Sequence, residues 1–292
     1  MKRRTAILVN PKAGPARNGQ DLRQQLQSSL PPDIDHEFLD WDLRQDHAAF
    51  RELLTRKKFD TVAAVGGDGT VNLVGKQLMN TDFTLAIIPS GSGNGLARHL
   101  NIPLNIGSAI ALLETGTPKT IDAGTVNDIP FFCTAGIGFD ARVSHSFASS
   151  NKRGFASYVK VAMRQLITYR SGKYNLVVDG YPMNRRAFLI TVANASQYGN
   201  NAVIAPAARI TDGLLNICVL KPFPIYSAPA IARRLFSGKL RYTNYYESWT
   251  AKDIMIKKPG ENAIHFDGET TTAQNEIRFH ILPHALKVLV SS

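Results

Sequence analysis

A chain of 292 residues, 44% apolar and 20% charged, has ordinary globular composition and room for one large or two average domains, which excludes a disordered or fibrous protein. Two cysteines, Cys133 and Cys218, exclude a disulfide framework and a cysteine-built metal site. The net charge of +11 is unevenly placed: positions 141–246 hold 15 Lys/Arg against Asp179 and Asp212, a local +13, and the rest of the chain balances at −2. Such a basic unit meets something anionic, namely phosphate, nucleic acid or an acidic membrane face, or else is a solvated basic surface. The longest apolar runs, such as 187–193, fall far short of the ~20 residues of a membrane-spanning helix. The opening MKRRTAILVN is basic like a signal peptide, but its apolar stretch stops at Asn10-Pro11-Lys12, so a cytosolic chain is expected.

The first 120 residues alternate strand and helix signals. An aliphatic strand over 5–9 ends in the loop Asn10-Pro11-Lys12-Ala13-Gly14, and Leu22, Leu26 and Leu30 recur at helical spacing until Pro31-Pro32. A second strand over 36–41 and a second helix over 46–57 follow. The run at 60–65 is a buried strand entering Gly66-Gly67-Asp68-Gly69-Thr70, with a helix over 71–79. Another strand, 84–88, enters Pro89-Ser90-Gly91-Ser92-Gly93-Asn94-Gly95, after which a helix begins at 96. This alternation predicts a parallel sheet with helices on both faces, where ligands bind beyond the carboxyl ends of the strands. Past Asp122 the texture changes. One helix, 155–169, stands among β runs at 174–179, 187–193, 214–220, 253–256 and 276–281, separated by the turn pairs Asp179-Gly180, Asp212-Gly213, Pro259-Gly260 and Asp267-Gly268. That predicts a mostly antiparallel β domain.

The glycine loops carry the chemistry. Gly66 and Gly67 let the main chain approach a ligand, and their N–H groups, with Thr70 and the following helix, form a pocket for phosphate. Asp68 would repel phosphate unless it acts through Mg²⁺ or on a substrate hydroxyl; otherwise it caps a tight turn. The next loop repeats the arrangement with Ser92 and Asn94. Neither loop is a Walker A sequence or a dinucleotide fingerprint. Asp122 either faces the same ligand or serves as a cap, and His265 is either a base or a packed histidine. The segment 229–246 mixes Arg233, Arg234, Lys239 and Arg241 with large apolar residues, as a helix or hairpin lying on an anionic membrane does, or a partly buried helix with a basic face.

NPKAG (10–14), GGDGTVN (66–72), PSGSGNGLAR (89–98), IDAG (121–124) and HFDGE (265–269) occur in an order that resembles the diacylglycerol kinase catalytic-domain family across almost the whole chain. The resemblance implies an N-terminal, NAD kinase-like three-layer α/β nucleotide domain, residues 1–123 with a return strand at about 282–292. It implies a C-terminal β-sandwich domain for lipid substrate over 124–281. ATP phosphates would lie over the loops, contacted by Asn10, Pro11, Lys12, Ala13, Gly14, Gly66, Gly67, Asp68, Gly69, Thr70, Val71, Asn72, Ser92, Asn94 and Asp267. The acid matched by Glu269 is the base in the bacterial diacylglycerol branch, and the acid matched by Asp68 in the sphingosine-kinase branch. Asn94-Gly95 looks closer to the latter, since many bacterial relatives have Asn-Asp there. A structural Mg²⁺ would sit at Asp212, with backbone oxygens near Arg209 and Leu214.

The function expected is therefore an ATP- and Mg²⁺-dependent lipid kinase acting on diacylglycerol, a sphingoid base or a similar lipid. It would be cytoplasmic, peripheral on an anionic membrane, without nucleic acid as partner, and a homodimer is admitted. Its rivals are a soluble-metabolite kinase of NAD-kinase type and a non-catalytic membrane-lipid-binding homologue.

Overall fold

The computed structural model describes residues 3–10, 19–40, 46–148 and 155–291. They divide into two compact units: Met1–Ile121 with His284–Ser292, and Asp122–Pro283. The first unit runs β1 (Arg4–Val9), α1 (Gly19–Ser29), β2 (Asp35–Phe38), α2 (His47–Arg56), β3 (Thr61–Gly66), α3 (Asp68–Leu78), β4 (Thr84–Pro89), α4 (Gly95–His99) and α5 (Ile106–Thr115), then enters β5 (Thr117–Val126). The strands are parallel in the order β4-β3-β1-β2. Every residue of β3 and β4 is buried, as befits strands covered on both faces.

Local chemistry sets the boundaries. Asp46 caps α2 by accepting the Ala48 N–H at 2.8 Å, and the Lys57 N–H closes the other end on the Leu53 carbonyl. The third helix begins at Asp68, three residues before the expected 71. Gly67 is extended at its N-cap, so Asp68, Gly69 and Thr70 form the first helical turn rather than a loop. Likewise β2 stops at Phe38; positions 41–45 lie outside the described residues. Asp122 lies inside β5, which continues because Gly124 makes room for the Phe131 ring, whose nearest atom would stand 2.2 Å from a Cβ there.

The second unit continues with β6 (Ile129–Phe131), β7 (Thr134–Gly138), α6 (Phe139–Ala148), α7 (Phe155–Thr168), β8 (Gly172–Val178), β9 (Tyr181–Ala187), β10 (Leu189–Ala193), β11 (Leu215–Leu220), α8 (Ala228–Phe236), β12 (Tyr246–Ala251), β13 (Asp253–Phe266) and β14 (Glu269–Val290). In an antiparallel run β12-β11-β10-β7-β13, β13 also pairs with β14 and with β8, which pairs in turn with β9. Side chains alternate across it with period two. Ile190, Val192, Ile217 and Val219 face a sandwich core shared with Leu176, Ile254, Ile277 and Phe279. Leu189, Ala193, Cys218 and Leu220 face the other way, beneath a layer to which α7 contributes Leu166 and α8 contributes Ile231 and Leu235.

Pro259-Gly260 does not form the expected turn. It lies within β13, where Gly260 takes φ 92° and the register with β14 shifts between Lys257 and Glu261. Before the shift β13 pairs with β8; after it, with β7. A glycine in the left-handed region therefore turns a corner inside one strand. The runs at 253–256 and 276–281 are accordingly parts of much longer strands. Residues 284–290 of β14 belong to the first unit, where Lys287 and Val288 pair in parallel with Thr84 and Leu85 of β4. Among the described residues no helix is long and apolar enough to cross a membrane.

Candidate functional site

Because β3 and β4 are parallel and paired as far as Gly66 opposite Pro89, their following loops leave the same end of the sheet side by side. The Ser90 N–H carries the ladder one step further, onto the Gly66 carbonyl at 2.9 Å. The loops then meet through glycine: a Cβ on Gly91 would stand 2.4 Å from the Gly67 Cα, and one on Gly67 would stand 3.1 Å from the Gly91 Cα. A Cβ on Gly66 would fall 2.3 Å from the Thr70 hydroxyl oxygen, and one on Gly93 2.5 Å from an Asp68 carboxylate oxygen. The Gly67 backbone closes Gly91 to a side chain, and the other three are crowded by Gly91, Thr70 and Asp68. Gly69 is different. A Cβ there would meet nothing within 4 Å, so the first turn of α3 has open space beside it.

Asp68 ties the two loops together. Its Oδ2 accepts the Asn94 N–H at 2.8 Å and its Oδ1 the Gly95 N–H at 2.6 Å, so one carboxylate satisfies orphan donors where α4 begins. Asn94 sits in the left-handed region at φ 52°, and its side chain accepts the Gly91 N–H and donates to the Gly91 carbonyl. Arg98 donates from Nε to the Gly93 carbonyl at 3.0 Å. From the neighbouring β1, Asn10 donates its backbone N–H to the Val65 carbonyl and its Nδ2 to the Thr70 hydroxyl at 2.7 Å. Of the residues expected to touch nucleotide, Asn10, Gly69 and the exposed Ser92 border this strand-end surface. Val71, Asn72 and Asn94 are buried and shape it from below. Pro11, Lys12, Ala13 and Gly14 lie outside the described residues.

In the second unit, Asp267 stands at the β13–β14 turn with φ 44°. It is buried, and its carboxylate accepts three backbone N–H groups, from Phe132 at 2.6 Å, Cys133 at 2.8 Å and Thr134 at 3.0 Å. These oxygens hold the hairpin onto the β6–β7 connection. Glu269 opens β14 two residues on. It is half-buried, and among the described residues no hydrogen bond or ion pair engages its side chain. His265 is a packed residue: its Nε2 lies 2.8 Å from Asp140 Oδ2, which also accepts from the Thr191 and Tyr198 hydroxyls. Burial first, then the Asp140 charge, keep the Tyr198 hydroxyl protonated well above its usual range. Nothing local in the sequence singles out Asp140 or Thr191, because their partners are far along the chain.

The Asp212-Gly213 loop is pinned by Asp122. That residue is fully buried, and its Oδ2 accepts the Gly213 N–H at 2.8 Å. Asp212 is exposed and accepts the Leu214 N–H through Oδ1 at 3.1 Å. Among the described residues no group of three or more His, Cys, Asp or Glu side chains could hold a metal ion. A loop offering one exposed carboxylate among backbone carbonyls needs no such group, and oxygen donors of this kind suit Mg²⁺ or Ca²⁺.

Residues 4–126 match the family model described as diacylglycerol kinase catalytic domain, and residues 133–290 match the YegS C-terminal NAD kinase beta sandwich-like domain. The chain belongs to the diacylglycerol kinase catalytic-domain family. Within that family it is 27% identical, over 97% of its length and 95% of the relative's, to a Yersinia enterocolitica protein named probable lipid kinase YegS-like. A Pseudomonas putida protein of the same name is 30% identical over 78% of this chain and 76% of its own. In fold it is similar to a solved diacylglycerol kinase from Bacillus anthracis, with a TM-score of 0.72, 23% identity and coverage of 99% and 97% of the two chains. It is more distantly similar to an NAD kinase from Archaeoglobus fulgidus solved with ATP, with a TM-score of 0.51 and 13% identity over 98% and 92%. The sequence motifs thus named the right family, and the α/β unit followed by a β-sandwich is that family's architecture.

Proposed function

We propose that the protein is an ATP-dependent kinase that transfers the γ-phosphoryl group to a hydroxyl of diacylglycerol, a sphingoid base or a similar lipid. The observation that carries the reading is the division of labour among the three motif acids. Asp68 and Asp267 are spent on backbone N–H groups, and Glu269 alone has its carboxylate unengaged among the described residues. The names of the YegS-like relatives support a lipid as acceptor.

On this reading the first unit holds ATP and the second the lipid. The strand-end surface around Gly69, Asn10 and Ser92 receives the phosphates, with backbone N–H groups at the start of α3 directed at negative charge. Asp68 acts through the loops it joins, keeping both in place. Glu269 accepts the proton of the lipid hydroxyl as its oxygen attacks the γ-phosphorus and the bond to the β-bridging oxygen breaks, releasing ADP. Magnesium bound with ATP supplies charge compensation on the phosphate oxygens. Asp212, with the carbonyls of Arg209 and Leu214, would hold a second, structural Mg²⁺. A lipid hydroxyl is met at a bilayer, so the local charge of +13 supports peripheral attachment to the anionic cytoplasmic leaflet.

The test is transfer of label from γ-³²P-ATP to a panel of diacylglycerol, sphingosine, ceramide and NAD. Labelled lipid with unlabelled NAD is expected. Labelled NAD would establish the soluble-metabolite rival, and no transfer to any acceptor the non-catalytic one.

A further inference from the structure

The outer side of α7 is unusual for a helix in a folded domain. Val159, Met163 and Ile167 recur every fourth residue and are 40%, 61% and 76% exposed. The helix does not lack a core: Leu166, and Tyr169 just past its end, pack against the cluster that holds Phe188, Leu189 and Leu220, with Tyr169 edge-on to Phe188. α8 sends Ile231 and Leu235 to the same cluster, so both helices pack on one face of the β10–β11 sheet. Lys160 and Arg164 follow Val159 and Met163 and are exposed, Arg170 lies exposed two residues past the helix's end, and Arg233 stands exposed on α8. No Asp or Glu occurs at positions 155–170 or 221–246.

We propose that the outer side of α7, continued by α8, is the surface by which this protein seats itself on an anionic phospholipid bilayer. Val159, Met163 and Ile167 enter the headgroup boundary, and Lys160, Arg164, Arg170 and Arg233 lie against lipid phosphates. An apolar stripe set among basic residues is the pattern of a helix lying in a membrane interface. A second copy of the chain is a poor occupant, because a self-complementary contact would set these bases against each other with no acid to answer them. The inference rests on the lipid-kinase reading for its purpose, but its test reads binding rather than phosphoryl transfer.

The experiment compares the full-length wild type, an apolar variant (Val159→Ser, Met163→Ser, Ile167→Ser) and a charge variant (Lys160→Gln, Arg164→Gln, Arg170→Gln) in co-sedimentation with vesicles. The vesicles are phosphatidylcholine, with or without 30% phosphatidylglycerol. All six positions are at least partly exposed, so melting curves are expected to superimpose. Each basic residue at the surface is worth about five-fold in partition, so the charge variant is expected to lose ~10²-fold on anionic vesicles and the wild type a similar factor when phosphatidylglycerol is omitted. The apolar variant is expected to lose at least ~10-fold. A Met163→Trp variant is expected to gain a blue-shifted emission on adding anionic vesicles, relative to the wild-type background. Transfer to a short-chain, water-soluble acceptor without vesicles is expected to be equal in all forms; its absence would sink the kinase reading and leave the binding result standing. The docking surface itself is overturned if the wild type ignores anionic vesicles, if either variant binds them as the wild type does, or if the emission of the Met163→Trp protein does not move. It is equally overturned if lipid-free sedimentation shows a dimer that the apolar variant breaks, since the stripe would then be a protein interface.

Discussion

Replacing Asp68 by Asn separates a residue that builds the phosphate loops from one that performs the chemistry. The carboxylate accepts two N–H groups at 2.8 and 2.6 Å, one on each oxygen. A carboxamide keeps one acceptor and turns an NH₂ toward the other N–H, so one charge-assisted bond is lost and a donor faces a donor. Bonds to charged groups contribute ~1.5–3 kcal/mol, and an unanswered donor adds to the loss, giving a cost of about 2–4 kcal/mol. At roughly 2–4 °C per kcal/mol, melting should fall by about 5–15 °C. The loosened loops should raise the KM for ATP, with kcat/KM down by ~10²-fold, as for a displacement of about 1 Å in a positioning element. Glu269→Gln is the contrasting case. Its side chain has no bond to lose among the described residues, so Tm and ATP KM should hold while kcat falls by ~10²–10⁴-fold. Calorimetry and initial rates at varied ATP measure both. An Asp68→Asn protein that melts with the wild type, keeps its ATP KM and loses only kcat would refute the reasoning and make Asp68 the base.

Gly69→Ala should leave Tm unchanged or slightly raised, because the added methyl meets nothing in the protein and helix propensity improves, yet it should raise the Kd for ATP at least ~10-fold by filling the phosphate's space; unaltered calorimetric affinity would defeat the site. Gly67→Ala, by contrast, should lower Tm, since its methyl presses on Gly91. Asp267→Asn should lower Tm and kcat together, through the loss of acceptors for three N–H groups and the movement of the Glu269 hairpin, a pairing absent from Glu269→Gln. The pKa of His99 is held below 6.5 by burial first and then by the Lys119 charge. Its contribution to stability is therefore full above pH 6.5 and is lost as pH falls from there through the depressed folded value, so between pH 7.5 and 5 the Tm of wild type should fall further than that of His99→Gln.

What the chain discloses about itself depends on how local the cause is. The strand–loop–helix repeats of the first unit were legible because buried parallel strands read as unbroken aliphatic runs, and both glycine loops stand where such runs end. The family motifs carried the rest of the architecture. The role of Asp68 was not legible, because its partners lie 26 and 27 residues away, on the next loop. Nor can a sequence tell Gly91, demanded by the backbone of Gly67, from Gly69, demanded by nothing in the protein. Pro259-Gly260 read as a hairpin because turn and corner use the same residue types; only the pairing of β13 with β8 before it and β7 after it distinguishes them.

The parallel pairing of Lys287 with Thr84 has a consequence for how the protein is made. β4 leaves the ribosome some 200 residues before the strand that covers its flank. At 5–20 residues per second, that edge waits about 10–40 s with backbone groups unpaired. The first unit cannot complete its sheet until residues 284–290 have been made. A chain cut short before position 284 would present the open edge of an otherwise buried strand to its neighbours, which makes truncated products of this gene candidates for aggregation and proteolysis.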